Sequence, residues 1–402
     1  MNDILSASLT IAAIPAIAST GYLALLALAA RRSQPPAPTS CLRYAIIVPA
    51  HDEAAGIVAT VRSLLAMQYP PDQYRVVVVA DNCTDTTAVL ARAAGARVLE
   101  RYNAEKRGKG YALMFAYNAI IEEGWAEAVV VIDADTIVSS NLLGAVDARL
   151  SAGSECAQAE YGVRNGADSW RTRLMSLAFA LHHTVRSLGR ARLGLSCGLR
   201  GNGMAFTVAL LRRVPHESAA LVEDVEYGIV LGMADVPVTY IAEATVLGEM
   251  PATEQASRTQ RDRWERGRRI LVRTWTWPLL RAAVRRGGGV CRDLAADLLL
   301  PPLITVATIV ALGCGAAILA AGAGLVGPTA PMLWLISLGL LLIYVGRGCA
   351  FSSAGWRVLA DFIWIPVYAV WKISVRFRSR SSDAWVRTAR DATAADQVRV
   401  ED

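Results

Sequence analysis

Lysine, histidine and paired cysteines are all scarce in this sequence of 402 residues. The seven cysteines form no C-x-x-C pair, and none lies near a histidine at zinc-finger spacing. Both observations argue against a zinc site and a disulfide framework, and scattered free thiols suit a reducing compartment. Charged residues make up only 19% of the chain, whereas about 25% is usual in globular domains, and hydrophobic residues make up 54%. The composition excludes a disordered chain and indicates a protein partly dissolved in lipid.

Two long uncharged stretches predict the membrane segments. Residues 4–30 carry no charge, exceed the roughly 20 residues that one span needs, and are followed at once by Arg31 and Arg32. Positive charge after the apolar run favours an anchor over a secretory signal and places its N-terminus outside the cell. Residues 298–346 are long enough for two spans joined near Gly327, which predicts a hairpin with both ends on the same side as Arg31.

Two further segments are predicted to lie along the membrane surface. Residues 359–371 are short and precede a basic tail, whose export would break the positive-inside tendency. We interpret them as an interfacial helix, with a third span as the alternative. Residues 266–286 hold many arginines and no acid, interleaved with apolar residues. An amphipathic helix on anionic headgroups explains this pattern better than a nucleic-acid patch, because the segment directly precedes the hairpin.

Residues 43–250 alternate between apolar runs and helical stretches. The runs at residues 44–48, 75–79 and 128–132 consist mostly of Val and Ile. Unalternating runs of this kind are typical of strands buried on both faces of a parallel sheet. With helical stretches between them, they predict a βαβ fold.

Acidic residues follow each of the three predicted strands. In open α/β sheets, ligands bind at the carboxyl ends of the strands, so these acids are expected to share one site. The alternative is that each acid only caps a helix or closes a turn. The acids concerned are Asp52, Glu53, Asp81, Asp133 and Asp135.

The charge pattern favours a nucleotide diphosphate carried by a metal ion. Asp133-Ala-Asp135 can place two hard oxygen ligands near one Mg²⁺ or Mn²⁺. Residues 106–110 add two lysines and two glycines, which suit a phosphate or the edge of a base. Neither a P-loop nor a G-x-G-x-x-G sequence is present, which argues against an ATPase and a Rossmann dehydrogenase.

Two later features complete the set of candidate site residues. Asp224 opens a predicted helix, where a carboxylate is easily held as a base or as a cap. Arg263 could bind a pyrophosphate through two hydrogen bonds, and Trp264 could stack on a sugar face.

The chain resembles the membrane-bound family 2 glycosyltransferases with a GT-A fold, which include cellulose, chitin, hyaluronan and poly-N-acetylglucosamine synthases. The resemblance covers residues 44–268 and the flanking spans. It implies an α/β GT-A domain, Rossmann-like with a mostly parallel sheet, plus transmembrane helices. It rests on six motifs in order: Pro49-Ala-His-Asp-Glu53, Asp81-Asn82, Asp133-Ala-Asp135, Gly201-Asn-Gly-Met204, Glu223-Asp224 and Gln260-x-x-Arg263-Trp264.

The resemblance also implies roles on the donor side. Glu53 and Asp81 would hold the uridine, with His51 nearby and Lys109 supporting the base or a phosphate. Asp133 would lie against the ribose and the diphosphate. The expected cofactor is Mg²⁺ or Mn²⁺, and its expected ligands are Asp133 and Asp135.

On the acceptor side, the resemblance implies that Asp224 is the base that deprotonates the acceptor hydroxyl. Glu223 would contact substrate and is the competing candidate for the base. The family has Thr where this chain has Val222, which weakens assignment to the long-chain synthases. Three further residues would close over the diphosphate and the acceptor sugar: Gln260, Arg263 and Trp264.

The expected activity is that of an inverting, UDP-sugar-dependent hexosyltransferase acting on a polysaccharide or glycolipid acceptor in exopolysaccharide or cell-envelope glycan synthesis. Expected partners are the UDP-sugar, a lipid-linked or polysaccharide acceptor and membrane lipids, but no nucleic acid; an export partner or a second copy of the chain stays open. One alternative is single-sugar transfer to a lipid carrier or glycolipid, favoured by the small number of spans. The other is a non-catalytic membrane partner of a synthase complex. That alternative predicts decayed acids, whereas Asp133, Asp135 and Asp224 are all present.

The predicted layout is that of a multi-pass protein of the plasma (inner) membrane with its catalytic domain in the cytoplasm. The predicted parts are a transmembrane anchor at 1–31, a GT-A domain at 42–250, the Q-x-x-R-W motif with amphipathic interface helices at 251–296, a transmembrane hairpin at 298–347, and an interfacial helix with a basic cytoplasmic tail at 348–402.

Overall fold

The computed structural model describes residues 2–36, 41–218, 220–250, 254–287 and 289–364, without the side chains of 254–262. Contacts divide this part of the chain into two units. The first, which we call the sheet unit, comprises residues 32–175 and 195–298. The second, the apolar unit, comprises residues 2–31, 176–194 and 299–364.

One sheet of eight strands, counted over the described residues, organises the sheet unit. Its strands are β1 (Tyr44–Ala50), β2 (Tyr74–Asp81), β3 (Arg97–Arg101), β4 (Ala128–Val131), β5 (Thr136–Val138), β6 (Cys156–Val163), β7 (Met204–Thr207) and β8 (Thr239–Gly248). Their spatial order is β3-β2-β1-β4-β7-β6-β8-β5. The first four are mutually parallel, β7 runs antiparallel to β4 and β6, β8 is parallel to β6, and β5 is antiparallel to β8. The expected α/β architecture is confirmed, and its sheet is mixed beyond β4.

The helices of the described residues are α1 (Asn2–Ala29), α2 (Ile57–Leu65), α3 (Thr87–Ala93), α4 (Lys109–Glu123), α5 (Leu142–Leu150), α6 (Trp170–Phe179), α7 (Arg186–Arg192), α8 (Val208–Arg213), α9 (Glu223–Met233), α10 (Glu254–Arg286), α11 (Gly289–Leu299), α12 (Leu303–Gly322) and α13 (Thr329–Phe351). A π-helical segment, Ala180–Val185, joins α6 to α7, and a 3₁₀ helix, Gly355–Trp364, follows α13.

The three predicted strands form β1, β2 and β4, and their side chains fill the core on both faces. Ile46, Val78 and Val130 are fully buried in one cluster, while their neighbours Ile47 and Val129 are equally buried on the other face. β3 was not predicted. It lies at the edge of the sheet and its side chains are largely accessible, so its sequence carries no apolar run.

Helix α10 packs one face on the sheet unit and exposes the other. Leu271 and Leu279 join a buried cluster with Val222 of the loop before α9. Gly267 permits this close approach, because a Cβ at that position would lie 2.7 Å from a methyl carbon of Val222. The opposite face exposes Trp277, and it is a mixture of apolar and basic side chains: Arg269, Ile270, Arg273, Leu280, Arg281, Val284 and Arg285.

In the apolar unit, α1, α12 and α13 are each long and apolar enough to cross a membrane. They correspond to the predicted anchor and hairpin, with residues 323–328 as the turn of the hairpin. The predicted interfacial helix at 359–371 is described only as far as residue 364, where it is part of the 3₁₀ helix. The remainder of that segment and the basic tail lie outside the described residues.

The apolar unit also contains a segment from the middle of the chain. Residues 176–194 group with the apolar helices, although the sequence predicted one domain over 42–250. The Arg186 Nε donates a hydrogen bond to the Tyr344 hydroxyl at 3.0 Å, and an Arg190 nitrogen donates to the Tyr22 hydroxyl at 2.7 Å. These polar contacts tie the segment to α13 and α1. The predicted domain boundaries stay a prediction.

Candidate active site

The ends of β1 and β2 are joined by side-chain hydrogen bonds. His51 donates from Nδ1 to the Asp81 carbonyl oxygen at 2.7 Å. Asp52 accepts from the backbone N–H groups of Thr84 and Asp85 at 2.7 and 3.2 Å. Burial raises the pKa of Asp52, but these hydrogen bonds outweigh that effect and lower it below its ordinary value. The two strand ends therefore form one rigid rim.

Asp81 lies at this rim with a cationic neighbour that the sequence motifs did not reveal. Arg101, at the end of β3, donates to Asp81 Oδ1 at 2.5 Å, and Asn82 Nδ2 donates to the same oxygen at 3.0 Å. Both charged side chains are nearly buried, with exposures of 11% and 7%. Because β3 itself was missed, its terminal arginine could not be placed beside Asp81 from the sequence.

Lys109 brings together parts of the chain that are far apart in sequence. It is the first residue of α4, and its ammonium donates to Asp133 Oδ1 and to the Gly201 carbonyl oxygen, each at 2.5 Å. A Cβ at Gly201, whose φ is +80°, would lie 3.1 Å from Asp224 Oδ2. Lys109, Asp133, Gly201 and Asp224 thus form one cluster, as the shared-site hypothesis requires.

Charge complementarity holds the cluster together. Burial lowers the pKa of Lys109, but Asp133, Glu223 and Asp224 together raise it above its ordinary value, so the ammonium stays charged. Burial raises the pKa of both carboxyls at the start of α9. Asp224 raises that of Glu223 further, and Lys109 and backbone N–H groups oppose the rise at both carboxyls. The pKa of each carboxyl stays above its ordinary value, and that of Glu223 is raised to about 7.

The segment with Arg263 and Trp264 reaches the cluster through α10. Arg263 Nε is buried without a hydrogen-bond partner among the described residues, and its charge lowers the pKa of Glu223. An orphaned guanidinium nitrogen at this place fits an anionic ligand such as a diphosphate. Trp264 is half-buried and packs against the cluster around Val222, so its contact with a sugar stays a prediction. The side chain of Gln260 lies outside the described residues.

Asp133 and Asp135 lie on one turn directly after β4 and offer hard carboxylate oxygens of the kind that Mg²⁺ and Mn²⁺ prefer. Within the described residues, the set of three ligand atoms close enough to share one ion is a different one, Asp52, Cys83 and Asp85. Mg²⁺ commonly binds through one or two carboxylates plus substrate phosphates, so a pair of aspartates fits such an ion. The metal role of Asp133 and Asp135 stays a prediction.

Comparison with known proteins defines the class. A family model described as Glycosyltransferase like family 2 matches residues 42–267, more than half of the chain. The chain therefore belongs to this glycosyltransferase family. The resemblance to family 2 glycosyltransferases is confirmed, and the membrane-bound aspect stays a prediction.

Particular relatives share this class. The chain is 24% identical over 244 residues to the probable glycosyltransferase YdaM of Bacillus subtilis, covering 57% of this chain and 56% of that protein. It is 27% identical over 282 residues to the beta-monoglucosyldiacylglycerol synthase of Synechocystis, covering 65% of this chain and 57% of that protein. The chain thus spans little more than half the length of either relative.

A solved structure supports the fold. The mannosyltransferase PcManGT of Pyrobaculum calidifontis, in complex with GDP-Man and Mn²⁺, superposes with a TM-score of 0.55 at 20% identity. The match covers 85% of this chain and 98% of that one. The expected GT-A fold is confirmed by this likeness.

Proposed function

We propose that the protein is a membrane-bound, inverting glycosyltransferase that moves a sugar from a UDP-sugar to a lipid or polysaccharide acceptor. The observation that carries this proposal is the cluster in which Lys109 joins Asp133 to Gly201 beside Asp224. It brings a cation close to two kinds of carboxylate: one at a strand end and one at a helix start. Such an arrangement suits an anionic donor on one side and a hydroxyl to be deprotonated on the other.

Asp224 acts as the base in this proposal. The acceptor hydroxyl has a high pKa, so a carboxylate within hydrogen-bond reach has to take its proton as the new bond forms. The acceptor oxygen then bonds to the anomeric carbon while the bond from that carbon to the diphosphate oxygen breaks. A single displacement of this kind inverts the anomeric centre, and the bond's electron pair leaves with UDP.

Charge on the leaving diphosphate is balanced by cations. Arg263, whose Nε has no hydrogen-bond partner in the described part of the chain, would bind it, and Lys109 would support it from α4. Asp133 and Asp135 would hold Mg²⁺ or Mn²⁺, which when bound supplies Lewis-acid stabilisation of the same charge. Asp81 and His51 of the rim would hold the uridine together with Glu53, whose backbone N–H donates to the Thr87 hydroxyl oxygen at 2.8 Å.

A membrane location is supported by α1, α12 and α13 and by the exposed face of α10. That face mixes Trp277 and other apolar side chains with arginines, and it bears no acid from Arg266 to Arg286. Such a surface is suited to an interface rich in anionic lipid headgroups. We propose that the sheet unit lies on the cytoplasmic side, where Arg31 and Arg32 follow the first span.

The acceptor is a membrane lipid in the form of the proposal that we favour. The specific observation is the likeness to a protein named as a glycolipid synthase. Val222, in place of the threonine of the polymer-forming relatives, points the same way. A growing polysaccharide is the second candidate.

The test uses purified full-length protein with Mn²⁺, a panel of UDP-sugars with GDP-mannose as comparison, and diacylglycerol or extracted membrane lipids as acceptors. We expect one UDP-sugar to release UDP and to yield a lipid carrying a single added sugar. A ladder of products would favour the polysaccharide acceptor. Absence of turnover with every sugar nucleotide and every acceptor would contradict the proposed activity.

A further inference from the structure

We infer that Asn202, Thr136 and Gln158 form a buried relay that positions the carboxylates of Asp133 and Asp135. The inference rests on the proposed metal and donor site. It assigns a role to three residues that have none in the proposed function. None of the three is expected to touch substrate, so they are positioning residues.

Asn202 contacts both ends of the turn that carries the two aspartates. Its side chain is fully buried. The amide oxygen accepts from the backbone N–H of Asp133 at 3.1 Å, and the amide nitrogen donates to the Thr136 hydroxyl oxygen at 2.7 Å. One side chain thereby fixes the turn from Asp133 to Thr136 at its first and last residues.

The direction of these hydrogen bonds extends the relay to Asp135. The Asn202 oxygen must face the Asp133 N–H, so its nitrogen must face Thr136. The Thr136 hydroxyl, which accepts from that nitrogen, directs its own proton to Asp135 Oδ1 at 3.3 Å. The orientation of the Asp135 carboxylate is therefore coupled to that of Asn202.

Gln158 fixes the other end of the relay from β6. Its side chain is also fully buried. Its amide oxygen accepts from the Arg200 N–H at 2.8 Å, and its amide nitrogen donates to the Asn202 carbonyl oxygen at 2.6 Å. Gly201, whose carbonyl oxygen accepts from Lys109, lies between Arg200 and Asn202 in the chain. Gln158 thus holds the loop beside Asp224 in register with the turn after β4.

Burial makes this relay specific. A buried polar group whose hydrogen bond is missing destabilises the folded state, so these amides favour a single arrangement of the turn and the loop. Groups that orient metal ligands in this way typically change metal affinity about 10–100-fold when they are removed. The Thr136 hydroxyl is the link that can be removed with the least change of shape.

The test compares Thr136→Val, which removes the hydroxyl and keeps the branched shape, with Thr136→Ser, which keeps the hydroxyl. Titration calorimetry of the full-length proteins measures the affinity for Mn²⁺ in the presence of UDP, and the affinity for UDP in EDTA. We expect Thr136→Val to bind Mn²⁺ about 10–100-fold more weakly. Thr136→Ser should stay near the wild type, and both should keep UDP affinity in EDTA.

Equal Mn²⁺ affinity in the two variants would overturn the relay while leaving the proposed function intact. Failure of the wild-type protein to bind both Mn²⁺ and UDP would instead overturn the proposed site and the relay with it. If Thr136→Val does not fold, as judged by circular dichroism, Thr136→Ala takes its place with the same expected loss of Mn²⁺ affinity.

Discussion

At the scale of single residues, Lys109 and His216 are two buried ionisable groups that differ in their charged partners. Lys109 stays charged because three carboxylates surround it. His216 is the opposite case. It lies between Tyr117 and Tyr227, only 6% exposed, and neither ring nitrogen has a hydrogen-bond partner among the described residues. Burial, assisted by the charge of Lys109, lowers the pKa of His216 to about 4.

His216 predicts a loss of stability in mild acid. The pKa of this histidine is 6.5 in the unfolded chain and about 4 in the folded protein. As the pH decreases, the unfolded chain therefore binds the proton at a higher pH than the folded protein does. Stability is then fully present above pH 6.5 and is lost as pH falls toward 4. At pH 5 the loss from this group is about 2 kcal/mol. Thermal unfolding at pH 7 and pH 5 checks this, and His216→Gln should lose less stability between the two pH values. An equal loss in both proteins would exclude His216 as the cause.

At the scale of elements, the approach of α10 to the loop before α9 determines where Arg263 lies. Val222 and Gly267 are in direct contact. Gly267 lies one turn of helix after Arg263, and Val222 lies one residue before Glu223. A small residue on α10 and a branched one at position 222 therefore fit together. Arg263 and Trp264 come near the acidic pair because of this contact.

Gly267→Ala is expected to disturb that contact. The new methyl would lie 2.7–2.8 Å from both methyl carbons of Val222, and such overpacking typically costs about 1–3 kcal/mol. This should outweigh the gain of roughly 1 kcal/mol in helix propensity. The melting temperature and the affinity for the donor should both fall, and the added substitution Val222→Ala should restore both. Gly144→Ala on α5 is the matched control, because nothing lies within 4 Å of its Cβ position. Equal effects of the two glycine substitutions would contradict the packing argument.

The same elements explain how much the sequence can predict. The Val-rich runs of β1, β2 and β4 and the acids that follow them were predicted, because burial on both faces leaves a strong pattern. The contact of Arg101 with Asp81 was not predicted, because β3 lies at an edge of the sheet and has no such pattern. The roles of Thr136 and Gln158 were not predicted, because they depend on side-chain contacts that β5 and β6 each make with the loop at Asn202. Such distant contacts leave no local signal. The grouping of residues 176–194 with the apolar helices was not predicted for the same reason. The sequence of a helix that packs on α1 and α13 does not differ from that of other helices in a recognisable way.

At the scale of the whole molecule, the chain combines a family 2 glycosyltransferase sheet unit with helices suited to a bilayer, of which the described residues contain three. If these helices span the membrane, the protein should remain in the membrane pellet after washing with alkaline carbonate and should dissolve only in detergent. The reason is that each helix is predominantly apolar and at least 20 residues long, which is the length that one span needs. Immunoblotting of the fractions measures this. Release by carbonate alone would contradict the proposed location.

The most direct test of the account is the substitution Asp224→Asn, measured for donor binding and for transfer in the same preparation. As the base, Asp224 is required only for the chemical step. We therefore predict near-normal binding of the UDP-sugar and a loss of transfer of about 10²–10⁴-fold. If Asp224 only stabilised the first turn of α9, whose N-cap is Val222, Asn would replace it with little effect on transfer. Glu223→Gln, measured in parallel, tests the competing base. Near-normal transfer by Asp224→Asn would contradict the account.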